Sequence, residues 1–387
     1  MVRKPAWLLH ILAVMTLLAL FLPDSQVLAA PVALLTVKSS SGAAYESRLA
    51  VDASRLVKSI HAARARRTEQ NLKGSETGNA PVFDTYLKLS SSGAGSEEIY
   101  LLNRRGDLYE EATHQLLPLD AKTGAYLKEQ AGRLRTMHYG AIHPWPHAST
   151  LLPKMTKFTI TDLETGLSFQ AQHRAGRQHA DVQPLTKADT AVMKQIYNGV
   201  WSWERRAVLV QAGDGQRLAA SMAGMPHGGD GIPGNDFSGH FCLHFLGSTT
   251  HGSAQVDLEH QLMVRKAGGA LDDYFGRAGA EEVAAAYVAA IHLRDSQLLK
   301  LSFGSLRHPQ LEETMRWMHG LAAIRPSKNQ PVQSGSINGN GLLALDFPIQ
   351  VELTRKERKP EHTTLMFRLR RLSPIDSWHI ESVDKRS

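Results

Sequence analysis

A single cysteine, Cys242, is all the sulfur chemistry this chain has for cross-linking itself. No intrachain disulfide can form, so the fold has to rest on buried apolar cores. The first thirty residues make that constraint sharper. Arg3 and Lys4 precede an apolar run from Trp7 to Leu22, and Val27-Leu28-Ala29 supplies a small-residue cleavage site, which predicts a signal peptide over 1–29. The run is short for a membrane span and is interrupted by His10. The expected location is extracytoplasmic, secreted or cell-wall associated. A thiol left free in an oxidising compartment is open to damage unless it is buried or used.

About 355 residues remain, enough for two or three domains with a core each. No later stretch is long and apolar enough to span a bilayer, so no transmembrane segment is expected after cleavage. The formal charge is +7. A basic exported protein suits an anionic cell-wall polymer such as peptidoglycan with its partners. No dense Lys/Arg patch lies beside aromatics, which argues against nucleic acid.

Texture divides the chain into three, a multi-domain α+β protein. Residues 31–137 form an N-terminal α+β module, with strands at Tyr86–Leu89 and Glu98–Leu102, helices at Leu56–Arg67 and Ala121–Arg135, and a polar linker over Lys73–Asn79. Residues 138–269 form a mostly-β domain. Its short apolar runs are broken by glycine, and one helix over Lys187–Tyr197 is capped by Thr186. Residues 280–387 read as amphipathic helices over Glu281–Arg294 and Leu311–Leu321, then three alternating strands after a Pro/Ser/Gly/Asn-rich stretch. This helix-plus-curved-antiparallel-sheet pattern resembles the cone-shaped fold of the nuclear-transport-factor-like superfamily, which implies no function by itself.

Chemistry concentrates in the middle region, which holds ten of the eighteen histidines and the cysteine. His240 and Cys242 are two apart, so on an extended strand both side chains share a face. His227 precedes the cysteine by fifteen residues, across a glycine-rich loop that permits close backbone approach. A base on one strand and a thiol on the next meet the needs of a cysteine nucleophile. Cys242 between Phe241 and Leu243 also fits a buried hydrophobe on a core strand.

His227-Gly228 followed by Gly239-His240-Phe241-Cys242-Leu243-His244 resembles the signature of L,D-transpeptidases, which cross-link peptidoglycan stems. The resemblance implies acyl transfer through a cysteine thioester without a cofactor. Cys242 would be the nucleophile and His227 the base, with the Gly228 carbonyl orienting the imidazole and His240 lining the site. The sequence departs from the family at Phe241, where the family has Gly, at Gly239, where it has a hydroxyl residue, and at His244, where it usually has Arg or Asn.

Two further sets qualify as sites. His179 and Asp181, joined by His227 and His240 and with His244, His251 and His260 as further downstream candidates, have the residue types of a zinc site, so the alternative is a zinc-dependent cell-wall peptidase. His173 belongs to the same run, but its spacing to Asp181 is one too long for the zinc D-Ala-D-Ala peptidases. Trp201 and Trp203, followed by Arg205 and Arg206, offer stacking surfaces for sugars and cations for a peptide carboxylate, with His244 added as a substrate contact. A second alternative is a non-catalytic peptidoglycan-binding envelope protein.

Overall fold

The computed structural model describes residues 31–70, 84–90, 97–213, 215–229, 231–252, 254–327, 341–355 and 358–386. The signal peptide and the linker over Lys73–Asn79 lie outside the described residues. Among the described residues no helix is long and apolar enough to cross a membrane.

The N-terminal module is a six-stranded antiparallel sheet: β1 (Val32–Lys38), β2 (Glu46–Val51), β3 (Thr85–Ser90), β4 (Glu97–Leu102), β5 (Leu108–Glu110) and β6 (Gln115–Leu117), in the order β2-β1-β3-β4-β5-β6. Helices α1 (Ala53–Gln70) and α2 (Ala121–His138) supply the apolar cover that such a sheet needs. Leu56 and Ile60 from the first, and Leu127 and Leu134 from the second, pack with Leu35, Leu87 and Tyr100.

The middle region closes into a six-stranded barrel. Short helix α3 (Trp145–Leu151) leads into β7 (Lys157–Asp162), β8 (Ser168–Ala175) and β9 (Ala180–Pro184). Helix α4 (Lys187–Ile196) follows, then β10 (Arg205–Gln211), β11 (Arg217–His227) and β12 (His240–His244). The strands run β10-β11-β12-β9-β8-β7 around the barrel, with β10 paired to β7. Helix α4 begins where a reciprocal cap predicts: Thr186 Oγ1 accepts from the Asp189 N–H at 3.1 Å, and the Asp189 carboxylate accepts from the Thr186 N–H at 3.0 Å. The barrel interior is filled by Phe158, Ile160, Phe169, Val182, Val208, Met222, Phe241 and Leu243, and each inward residue leaves its strand neighbour facing out.

The outward face of β10 and β11 is also buried. It packs against α5 (Leu258–Ala267), with Leu209 and Ala219 meeting Leu262 and Met263. That layer continues without a break through α6 (Leu271–Phe275), α7 (Ala280–His292), α8 (Ser296–Phe303) and α9 (Leu311–Gly320). It then reaches a four-stranded antiparallel sheet, β13 (Ala323–Pro326), β14 (Ala344–Thr354), β15 (Glu361–Arg370) and β16 (His379–Arg386). One apolar cluster therefore spans the boundary that texture sets between 269 and 280. Buried Lys266 ties the parts together. Its Nζ lies 2.6 Å from both Glu164 and Asp295, and Glu164 also accepts from the Ser40 hydroxyl of the N-terminal module at 2.9 Å.

Candidate functional site

The site lies on the outer face of the barrel, where β11, β12 and β9 run side by side. Because Phe241 and Leu243 face inward, His240, Cys242 and His244 face outward together. Cys242 sits opposite Asp181 on β9 and opposite Ala223 on β11. Between Ala223 and His227 the β11 register slips, so that His227, rather than the residue regular pairing would supply, stands opposite His240. Such a bulge re-aims a side chain. Two glycines make it possible. Gly228 (φ +71°) lies against the His240 ring and Gly239 (φ +83°) against the His227 carbonyl, and neither place has room for a Cβ.

This local geometry brings base and thiol together. His227 Nε2 is 3.3 Å from Cys242 Sγ, and His227 Nδ1 is 2.8 Å from the Met225 carbonyl oxygen. A carbonyl only accepts, so Nδ1 carries the proton and the Nε2 lone pair is turned to the thiol. The resemblance assigned the orienting carbonyl to Gly228; in the fold it belongs to Met225, two residues before His227 and within the stretch where the β11 register slips. Phe241 does not intrude on the site. It points into the barrel against Phe169 and Phe237, with ring centroids 6.1 and 6.0 Å away.

Cys242 is only 6 % exposed. Burial, reinforced by the Asp181 carboxylate and opposed weakly by Arg205, pushes its thiol up to about 12. At neutral pH the resting group is therefore the thiol, and its proton has to leave for His227 as the sulfur attacks.

Around this pair stands a chain of imidazoles. His251 Nε2 lies 3.1 Å from Asp181 Oδ1, with His179 Nε2 at 3.5 Å and His240 Nε2 at 3.6 Å from the same oxygen. His179 donates from Nδ1 to the Thr249 carbonyl at 2.7 Å. His244 is sandwiched between His179 and His260, with centroids 4.2 and 3.7 Å away and nearly parallel planes. His260 in turn meets the Ser221 hydroxyl through Nδ1 at 2.8 Å. Burial holds His179, His240, His244 and His260 below the ordinary imidazole range. Two sets of side chains converge closely enough for a cation: His179, Asp181, Cys242 and His251, and His227, His240 and His251.

The remaining residues singled out from sequence are dispersed. Arg206 makes a bidentate pair with Asp162 at 3.0 and 2.8 Å, and Arg205 pairs with Asp257 at 2.7 Å and Glu259 at 3.4 Å. Both guanidinium groups are thus spent on holding β10 against its neighbours and offer no unpaired charge to a substrate. His244 is buried under its two stacked partners. Trp201 packs edge-on against Phe237, whereas Trp203 is 45 % exposed and its ring lies 4.9 Å from that of His227, at the mouth of the site. His173 is set aside from the cluster, with both ring nitrogens held at 2.7 Å by the carbonyls of Leu152 and Ala175. Sequence reasoning offered His251 only as one of several downstream histidines that could join a metal set, and it missed Met225. The Thr249-Thr250-His251-Gly252 turn just after the cysteine strand was the available signal for the first; nothing in a single sequence marks a carbonyl.

No protein-family model, curated protein or solved structure matches the chain.

Proposed function

We propose that this is an exported cell-wall enzyme that transfers acyl groups on peptidoglycan stem peptides through a thioester at Cys242. The observation that carries the reading is the relay of Cys242 Sγ, His227 Nε2, His227 Nδ1 and the Met225 carbonyl, with spacings of 3.3 and 2.8 Å across its two hydrogen bonds. A thiol nucleophile, a base in reach and a third group fixing the tautomer of that base are what acyl transfer through sulfur needs.

In the proposed reaction Cys242 Sγ attacks the stem-peptide carbonyl carbon while its proton passes to His227 Nε2. The C–N bond then breaks, and the departing amine takes that proton, leaving a thioester. An acceptor amine or water attacks the thioester, gives its proton to His227, and the thiol is restored as the new acyl bond forms. Trp203 is the aromatic surface placed to meet substrate beside His227. The formal charge of +7 favours the anionic wall over a neutral partner.

The test is intact-protein mass spectrometry after incubation with purified stem peptides in chelator. An adduct of acyl mass on Cys242, absent in Cys242→Ala, supports the proposal. The competing zinc-peptidase reading, which draws on the His179–Asp181 cluster, requires the reverse: cleavage that chelator abolishes and Cys242→Ala preserves.

A further inference from the structure

We propose that His179, Asp181, His251 and Cys242 form a zinc site, and that zinc bound there takes the thiol as a ligand and silences it. The silencing rests on the reading of Cys242 as the nucleophile; the metal site does not.

Three observations carry the inference. The four ligand atoms, two imidazole nitrogens, one carboxylate oxygen and one sulfur, all lie within 4.8 Å of one another. Tetrahedral zinc, with bonds of about 2.0–2.3 Å, holds its ligand atoms about 3.3–3.7 Å apart, so the measured spacings of 3.1 and 3.5 Å from Asp181 Oδ1 to the two imidazoles need little adjustment. Second, the site has an outer shell already set. The Thr249 carbonyl takes the Nδ1 proton of His179 and so leaves its Nε2 as a bare lone pair, the arrangement that orients metal-ligating histidines.

Third, among the described residues that lone pair has no hydrogen-bond partner. His179 is fully buried, and its Nε2 faces a carboxylate oxygen 3.5 Å away, so two electron-rich atoms confront each other with no proton between them. His240 Nε2 is similarly buried, unpartnered and turned to the same oxygen at 3.6 Å. A buried polar group left in that state calls for an unseen partner, and four ligand atoms converging on one point favour a cation there over a bridging water. Mixed imidazole, carboxylate and thiolate ligands suit zinc among the divalent metals.

The donor set also says what the metal does. Four protein ligands close a tetrahedral site and leave no position for a substrate or a reactive water, unlike the open sites of zinc hydrolases. Binding replaces the Cys242 proton by zinc and releases it to solvent. The metal then balances the carboxylate and the thiolate, and the coordinated sulfur, its charge drawn to zinc and its position fixed, is a far weaker nucleophile toward a carbonyl than the free thiolate. Zinc is an inhibitor here, and its removal uncovers the nucleophile.

The test uses the mature chain, reduced and freed of metal with chelator, and titrates it with Zn²⁺ alone by competition against a chromophoric chelator. One Zn²⁺ per chain is expected, with affinity lowered at least tenfold in His251→Ala, a substitution at the rim where the side chain is 44 % exposed. Co²⁺ loaded in place of zinc should show a sulfur-to-metal charge-transfer band that Cys242→Ser lacks. Zinc should also protect Cys242 from alkylation until chelator is added. Absence of stoichiometric binding, or binding that leaves the thiol free and the Co²⁺ spectrum without the sulfur band, overturns the inference. A protein that forms the acyl adduct in chelator and ignores zinc overturns this site alone. One that binds zinc through Cys242 and never acylates overturns the acyl-transfer reading and leaves the metal site standing.

Discussion

The Nε2 atom of His227 stands 3.3 Å from the sulfur of Cys242, on a strand whose register slips to put it there. Since burial pushes the thiol up to about 12, this contact joins a neutral thiol to a base and is not a preformed ion pair. His227→Ala should therefore slow acylation of Cys242 by about 10²–10⁴-fold, the usual worth of a positioned base. In chelator, the alkylation rate of the wild-type thiol should keep climbing with pH through 9. A plateau near neutral pH would show a standing thiolate and refute a proton transfer that accompanies attack.

The bulge that aims His227 depends on backbone that only glycine fits. At Gly239 the chain has φ +83°, and an added Cβ would collide with the His227 carbonyl oxygen, a backbone atom that cannot swing away. Gly239→Ala should lower stability by about 1–3 kcal/mol. It should also cut acylation more than 10²-fold by displacing the base, since a shift of about 1 Å is enough for that. Denaturant melts and single-turnover acylation would check the two halves separately; wild-type acylation in a folded Gly239→Ala protein would show that His227 tolerates displacement.

Lys266 is the buried cation on which three parts of the molecule converge. Burial alone would lower its pKa, but Asp295 and Glu164 outweigh that and hold it above its ordinary value. A folded-state pKa above the unfolded one means that the stabilisation is fully present below about 10.5 and is lost as the pH rises beyond it. Lys266→Met removes the cation and leaves two facing carboxylates, which should cost about 3–5 kcal/mol at pH 7. Urea unfolding of wild type and Lys266→Met at pH 7 measures the first, and of wild type at pH 10 and 12 the second; a loss under about 1 kcal/mol in Lys266→Met would mean that solvent already screens the cluster.

Acid should act through histidines that the fold keeps neutral. Burial lowers His138 to about 4, and His260 sits well below the ordinary imidazole range for the same reason. The unfolded chain binds these protons from about pH 6.5 downward and the folded chain does not. Stability should therefore decline as the pH falls through that window, by up to about 1.4 kcal/mol per pH unit for each group. Melting temperatures in chelator at pH 7.5 and 5 should differ by several degrees, lower at pH 5. Equal values would mean that both imidazoles are charged in the native state.

Local pattern alone carries much of the site. The alternation His240-Phe241-Cys242-Leu243-His244 puts imidazoles and thiol on one face through the strand's period of two, and Thr186 with Asp189 marks the start of α4. What stayed hidden depends on distant pairing. His251 reaches Asp181 across seventy residues, and the Arg205-Arg206 pair reads as charge open to a substrate carboxylate until Asp257 and Asp162 are brought to it. Helix α5 escaped notice for a different reason. It is buried on nearly all sides, including His260, Gln261 and Lys266, so Leu258–Ala267 has no polar face to set off an apolar stripe.

Phe241, next to the thiol in sequence, belongs to the barrel core. Its ring is fully buried in the barrel, packed against Phe169 and Phe237, on the side of β12 away from the thiol. Phe241→Gly would empty that space and loosen the strand. It should cost at least about 3–5 kcal/mol, the range for truncating a core phenylalanine to alanine. Phe241→Leu should cost far less and leave acylation unchanged, since it keeps the interior filled. If Phe241→Gly instead folded well and acylated faster than wild type, glycine at this position would be serving the oxyanion, and the assignment of residue 241 to the core alone would fail.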